Sequence, residues 1–219
     1  MSIWIKICGN TSLEDAQLAA YAGADAVGFV FASSPRRVTV DQVKAITPHL
    51  PQHLEKVGIF VDAGLEEIAT TVEACGLTGI QLHFDAPAEL AVRLRGWFGA
   101  GVRIVGVRHF GKGQEVKPEI LADHSLDAVL VDSCTPTAAG GTGIAFDWSA
   151  AANTLFHDTS RARKCIAAGG LTPENVAEAI RMLKPWGVDV ASGVELSPGR
   201  KDPAKVRAFV ANARKARTD

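Results

Sequence analysis

The sequence predicts an α/β fold: a single (β/α)8 (TIM) barrel with parallel strands, formed by residues 1–219 as one domain. Three observations carry that prediction. Short β-rich apolar runs alternate with longer helical patterns along the whole chain, giving eight strand–helix repeats. The length of 219 residues lies at the lower end of the barrel range and is short for two full domains. The first strand-to-helix turn, Cys8-Gly9-Asn10-Thr11, lacks the G-x-G-x-x-G fingerprint that an open doubly wound sheet places there. Paired-glycine segments instead follow the seventh and eighth strands, where barrels commonly hold phosphate.

Strands are predicted at 4–8, 26–31, 56–61, 79–83, 102–107, 128–132, 165–168 and 188–191. Helices are predicted at 13–21, 40–47, 65–74, 88–97, 173–183 and 203–213. Ser12 stands before Leu13-Glu14-Asp15, where a hydroxyl caps free N–H groups and acids suit the helix dipole. Thr172-Pro173-Glu174 repeats this logic with proline at the first helical position. Gly23, Gly76 and Gly187 follow helical patterns, as left-handed stop residues do. The glycine- and threonine-rich stretch 133–146 is a long loop of the functional or mobile kind.

Composition narrows the function classes. Apolar residues make up 47% of the chain, enough for a substantial core, and the net charge of −1 does not advertise nucleic acid or an anionic membrane. No run reaches the roughly 18 apolar residues that a spanning helix needs, and the N-terminus lacks the shape of a secretory signal. Cys8, Cys75, Cys134 and Cys165 form no C-x-x-C pair, which argues against a disulfide framework or zinc site and for a reducing cytoplasm. No histidines stand at close metal-binding spacing either, so no metal site is expected, and with no extended exposed apolar pattern the chain reads as a monomer.

Active sites of such barrels lie at the C-terminal ends of the strands. The reactive residues there are Cys8 after the first strand, Arg36 and Arg37 after the second, His83 after the fourth and Asp132 after the sixth. Alternation along the first strand sets Ile3, Ile5 and Ile7 against the outer helices and turns Trp4, Lys6 and Cys8 inward. A lysine inside the barrel needs a partner, and Asp189 on the eighth strand, adjacent once the barrel closes, is the expected one. Cys8 reads either as a small buried hydrophobe or as a reactive thiol. Asp132 is either a turn acid or an acid–base residue with a raised pKa. His83 is a ligand contact or a structural histidine, and an arginine of the Arg36-Arg37 pair is a carboxylate clamp or a solvated charge. Gly169-Gly170 and Ser192-Gly193 are tight turns or, taken together, a backbone grip on a phosphate.

Seven ordered motifs resemble one family over essentially the whole chain. They are Lys6-Ile7-Cys8-Gly9, Gly23-Ala24-Asp25-Ala26-Val27-Gly28-Phe29, Ser34-Pro35-Arg36, and Gly79-Ile80-Gln81-Leu82-His83. Gly140-Gly141-Thr142-Gly143 with Phe146-Asp147-Trp148, Ala168-Gly169-Gly170-Leu171, and the run from Gly187 to Glu195 complete the series. The chain thereby resembles the phosphoribosylanthranilate isomerases of tryptophan biosynthesis. The resemblance implies an Amadori rearrangement of N-(5-phosphoribosyl)anthranilate, an aminoaldose, to an aminoketose, without metal or redox cofactor. It implies Cys8 as general base at C2, Asp132 as general acid at the ring oxygen, and Arg36 against the anthranilate carboxylate. Gly169, Gly170, Ser192 and Gly193 would hold the phosphate, with His83 beside the ligand. Phe84 stands where the family commonly has glycine, and Ala191 where serine is frequent. The related histidine-pathway aminoaldose isomerase uses aspartate at the end of the first strand, where this chain has Cys8. Indole-glycerol-phosphate synthase needs a lysine–glutamate set that this chain lacks.

Overall fold

The structure is a computed structural model that describes residues 2–83, 88–109, 125–132 and 164–216. Eight parallel strands close into a barrel in sequence order: β1 (Trp4–Ile7), β2 (Ala26–Val30), β3 (Glu55–Phe60), β4 (Gly79–Leu82), β5 (Arg103–His109), β6 (Ala128–Asp132), β7 (Lys164–Ala168) and β8 (Gly187–Val190). The described helices are α1 (Leu13–Tyr21), α2 (Val40–Ile46), α3 (Leu65–Cys75), α4 (Ala88–Phe98), α5 (Val176–Leu183) and α6 (Pro203–Ala216). A small antiparallel pair, β9 (Glu195–Ser197) and β10 (Arg200–Lys201), sits between β8 and α6.

The period-2 alternation of the strands produces two separate cores. Ile3, Ile5 and Ile7 of the first strand region pack outward with Val27, Phe29, Ile80 and Ile104 against helix residues such as Ala16, Val43, Ile68 and Phe209. Trp4 points inward to Val57, Val105, Leu130 and Ile166, which fill the barrel interior. The interior is therefore solid at its N-terminal end. There Trp4 stacks on Trp186 with ring centroids 5.1 Å apart, and the Arg103 guanidinium and Lys164 ammonium lie 5.1 and 4.8 Å from the Trp186 ring. Glu55 ties this plug together, accepting from Trp4 Nε1 at 3.2 Å and from Arg103 Nε at 2.9 Å.

Local capping follows the sequence in some places and departs in others. Ser12 caps α1 through Asp15 N at 3.2 Å, and Gly23 and Gly76 end their helices with positive φ. Helix α5 starts at Val176 rather than Pro173. Thr172 instead closes a turn, its Oγ1 accepting from Glu174 N at 3.2 Å. The left-handed residue that ends α5 is Lys184, with φ of 48°, and not Gly187. Gly187 begins β8 facing Trp4, where a Cβ would lie 2.8 Å from the indole. Among the described residues, no helix is long and apolar enough to cross a membrane.

Candidate active site

Cys8 directly follows β1 at the open end of the barrel and is buried. Its backbone is pinned on both sides. Its N–H donates to Val190 O at 2.8 Å, and its carbonyl accepts from Lys201 Nζ at 2.5 Å. Burial pushes the Cys8 thiol up. The Lys6 ammonium opposes this, Asp189 adds to it, and Lys201 and the Gly9 N–H oppose it, leaving the thiol above its ordinary range.

Beneath the sulfur, Lys6 is 1% exposed, and its Nζ lies 3.0 Å from Asp189 Oδ2 and 2.5 Å from Gln81 Oε1. The expected Lys6–Asp189 pair is therefore present, between residues that are direct partners in the β1–β8 register. Burial alone would lower the Lys6 pKa, but Asp189 and then Cys8 outweigh it and hold the ammonium above its ordinary value. Asp189 is the softer charge of the pair. It is pushed up by burial, held down by Lys6, and pushed up again by the Asp132 carboxylate. Its buried Oδ1 has no hydrogen-bond partner among the described residues.

Asp132 ends β6, half-buried, and β7 and β8 separate it from β1 round the barrel. It ends its strand at the same end of the barrel as Cys8, and its carboxylate pushes the Asp189 carboxyl up. Arg36 is half-buried and Arg37 exposed, so the two arginines are distinguished by environment. Arg36 is gripped by Glu195, donating from Nε to Oε1 at 2.9 Å and from Nη2 to Oε2 at 2.6 Å. Glu195 Oε1 also accepts from the fully buried Lys201 at 3.0 Å. Burial would raise the Glu195 carboxyl, but the Arg36 hydrogen bonds and the Lys201 charge outweigh it and hold it below its ordinary value. His83 follows β4, half-buried, with its N–H donating to Phe60 O at 3.1 Å.

The two late glycine segments touch. A Cβ built on Gly193 would lie 1.9 Å from the carbonyl oxygen of Leu171, so the turn at 192–194 is seated directly on the turn that follows Gly169 and Gly170. Asn175 braces the latter, accepting from Thr172 N at 2.8 Å and donating to Gly170 O at 2.9 Å. The expected loop at 133–146, with Phe146-Asp147-Trp148, Cys134 and Phe84, lies outside the described residues. Among the described residues, no group of three metal-ligating side chains converges.

Sequence reasoning missed Gln81, Glu195, Lys201 and Asn175 as site builders. Gln81 was accessible to the same alternation that turned Lys6 inward, since it shares a face with His83 on the fourth strand. Lys201 carries no periodic signal, because it sits on a two-residue strand.

This fold and this mouth define a (β/α)8-barrel enzyme with a buried thiol and a half-buried carboxylate at the C-terminal ends of its strands. Residues 5–212 match the family model of N-(5'-phosphoribosyl)anthranilate isomerase. An isomerase of that name from Pelobacter propionicus is 41% identical over 99% of this chain and 98% of its own length. One from Pseudomonas fluorescens is 44% identical over 94% and 95%. The crystal structure of phosphoribosyl anthranilate isomerase from Thermotoga maritima superposes with a TM-score of 0.86 at 34% identity, covering 97% of this chain and 99% of that one. A structure of such an isomerase in complex with reduced 1-(o-carboxyphenylamino)-1-deoxyribulose 5-phosphate gives 0.82 at 32%, with coverage of 97% and 99%. The chain belongs to the N-(5'-phosphoribosyl)anthranilate isomerase family, the isomerases that serve tryptophan biosynthesis.

Proposed function

We propose that residues 1–219 act as one catalytic domain that rearranges N-(5-phosphoribosyl)anthranilate to 1-(2-carboxyphenylamino)-1-deoxyribulose 5-phosphate, with Cys8 as general base and Asp132 as general acid. The observation that supports this reading is that Cys8 follows β1 and Asp132 ends β6 at the same end of the barrel, where Asp132 acts on Asp189 and Asp189 acts on Cys8. Asp132 gives its proton to the ring oxygen as the C1–O bond breaks, leaving a protonated Schiff base at C1. That cation acidifies the C2 proton. The Cys8 thiolate takes it, and the electron pair of the C–H bond forms the C1–C2 double bond of an enaminol. Return of a proton to C1 with loss of the hydroxyl proton at C2 gives the ketone. A modest base held against the carbon suffices, so the sequence needs no metal or redox cofactor.

Arg36 takes the anthranilate carboxylate. Gly169, Gly170, Ser192 and Gly193 take the phosphate through backbone N–H groups, and His83 lines the ligand. The enzyme works as a monomer in the cytoplasm on this small phosphorylated substrate, with no nucleic-acid or membrane partner. Anthranilate fluorescence tests the reading: emission falls as substrate is consumed, and Cys8→Ala and Asp132→Ala each lose at least about 100-fold in rate. Unchanged emission with wild type overturns the isomerase, and full rates in both variants overturn the roles.

A further inference from the structure

We propose that Lys6 is a positioning residue that sets the charge of the Cys8 thiol, its ammonium shared between the Asp189 carboxylate and the sulfur. This rests on the reading of Cys8 as the base, and it answers what that reading leaves open: how a buried thiol comes to lose its proton.

Lys6 on β1 and Cys8 just after it are two residues apart and both buried, so the alternation that turns Trp4 inward turns both to the barrel interior. An ammonium has three donors. One goes to Asp189 Oδ2 at 3.0 Å and one to Gln81 Oε1 at 2.5 Å. The third is left on the inward face that Cys8 continues two residues on, and the charge of the ammonium is felt at the thiol. Gln81 is neutral, so it holds the ammonium in place without spending its charge.

The other charged groups facing the thiol are already committed to one another. Lys201 reaches the Cys8 carbonyl but is paired with Glu195, and Arg36 is paired with the same carboxylate. Asp189 faces Lys6 from β8, keeps Oδ1 without a partner among the described residues, and is itself opposed by Asp132 from β6. Lys6 is thus the cation on the thiol's own inward face, and its counter-ion Asp189 keeps one oxygen without a partner among the described residues.

The proton transfer needs nothing more. The C2–H bond breaks, an S–H bond forms, and the electron pair enters the C1–C2 bond. Before the transfer the Schiff-base cation balances the thiolate while Asp189 balances Lys6. After it the sulfur and the former Schiff base are both neutral and the Lys6–Asp189 pair is unchanged, so no buried charge is stranded at either stage.

The ligand-free enzyme labelled with [13Cβ]cysteine tests this by NMR titration, with Cys8 assigned from Cys8→Ser. In Lys6→Met the Cys8 midpoint rises by about one pH unit or more. In Asp189→Asn it falls, because a competing anion is removed and the ammonium passes to the thiolate. In Lys6→Arg, which keeps the charge, it stays close to wild type. The acid limb of kcat/KM moves in the same direction as the titration in each variant. Midpoints that stay fixed, or that move the same way in Lys6→Met and Asp189→Asn, overturn the proposal. If Lys6→Met does not fold, an unmoved or raised midpoint in Asp189→Asn overturns it alone. Because the titration reads the thiol and not turnover, a fully active Cys8→Ser would sink the base assignment without deciding the role of Lys6.

Discussion

The sulfur of Cys8 occupies the space that a side chain at position 28 would need: a Cβ on Gly28 would lie 2.8 Å from Cys8 Sγ and 3.2 Å from Cys8 Cα. Ile59 Cδ1 closes the third side at 3.0 Å. The backbone around Cys8 is tied to Val190 and Lys201, so the group free to give way is the thiol.

Gly28→Ala therefore displaces the sulfur while leaving the barrel closed. Overpacking of this kind costs about 1–3 kcal/mol of stability, and a reacting group misplaced by roughly 1 Å loses about 100-fold in rate. Thermal melting and fluorescence-monitored turnover read the two effects separately. A variant with wild-type kcat would show that the thiol does not need its present position.

Gly193 tests the other half of the mouth. Its neighbour is a backbone carbonyl, Leu171 O, which cannot rotate away as a side chain can. Gly193→Ala must separate the turn at 192–194 from the turn after Gly170. KM for the phosphorylated substrate and the inhibition constant for inorganic phosphate should both rise about 10-fold or more, the loss of one to two charge-assisted hydrogen bonds. Unchanged phosphate inhibition would place the anion elsewhere.

What was readable in the sequence divides along physical lines. Period-2 alternation survives tertiary context when a strand separates two apolar compartments, so the inward turn of Lys6 and the outward turn of Ile5 were both legible, and barrel closure then made Asp189 the partner of Lys6. The Arg36–Glu195–Lys201 network was not legible, because the residues lie on three elements and meet only through a short hairpin. At α5, proline and threonine promised a helix start, but the Asn175 side chain bonds the turn at both ends and delays the helix to Val176. Gly187 resembled a helix stop for a reason of its own, the close approach of Trp4.

Glu195 bears one charge against two cations, and Glu195→Gln removes it while keeping the shape. Lys201 would then be buried without a carboxylate, a loss of about 3–5 kcal/mol by analogy with other broken buried pairs, read by urea unfolding. The sign of the pH effect follows from the direction of its shift. A carboxyl held below its ordinary value in the fold contributes stability above the unfolded pKa and loses it as pH falls through the folded one. Wild type should thus lose stability on the acid side more steeply than Glu195→Gln. Parallel acid limbs would mean that Glu195 is not the group being protonated.

Trp186 supplies the converse case, stability without chemistry. It lies at the closed end of the barrel, stacked on Trp4 and flanked by the Arg103 and Lys164 cations, with the whole interior cluster between it and Cys8. Being half-buried, it should cost about 2–4 kcal/mol when cut to alanine, somewhat less than a fully buried tryptophan. The two cations lose a ring face as well, which adds to the destabilisation rather than offsetting it. Below its melting transition, Trp186→Ala should keep kcat and KM within about twofold of wild type, because the reacting groups are carried on the opposite face. Urea unfolding and steady-state turnover on one preparation decide it: a large loss of kcat with little loss of stability would mean that the plug transmits strain to the mouth.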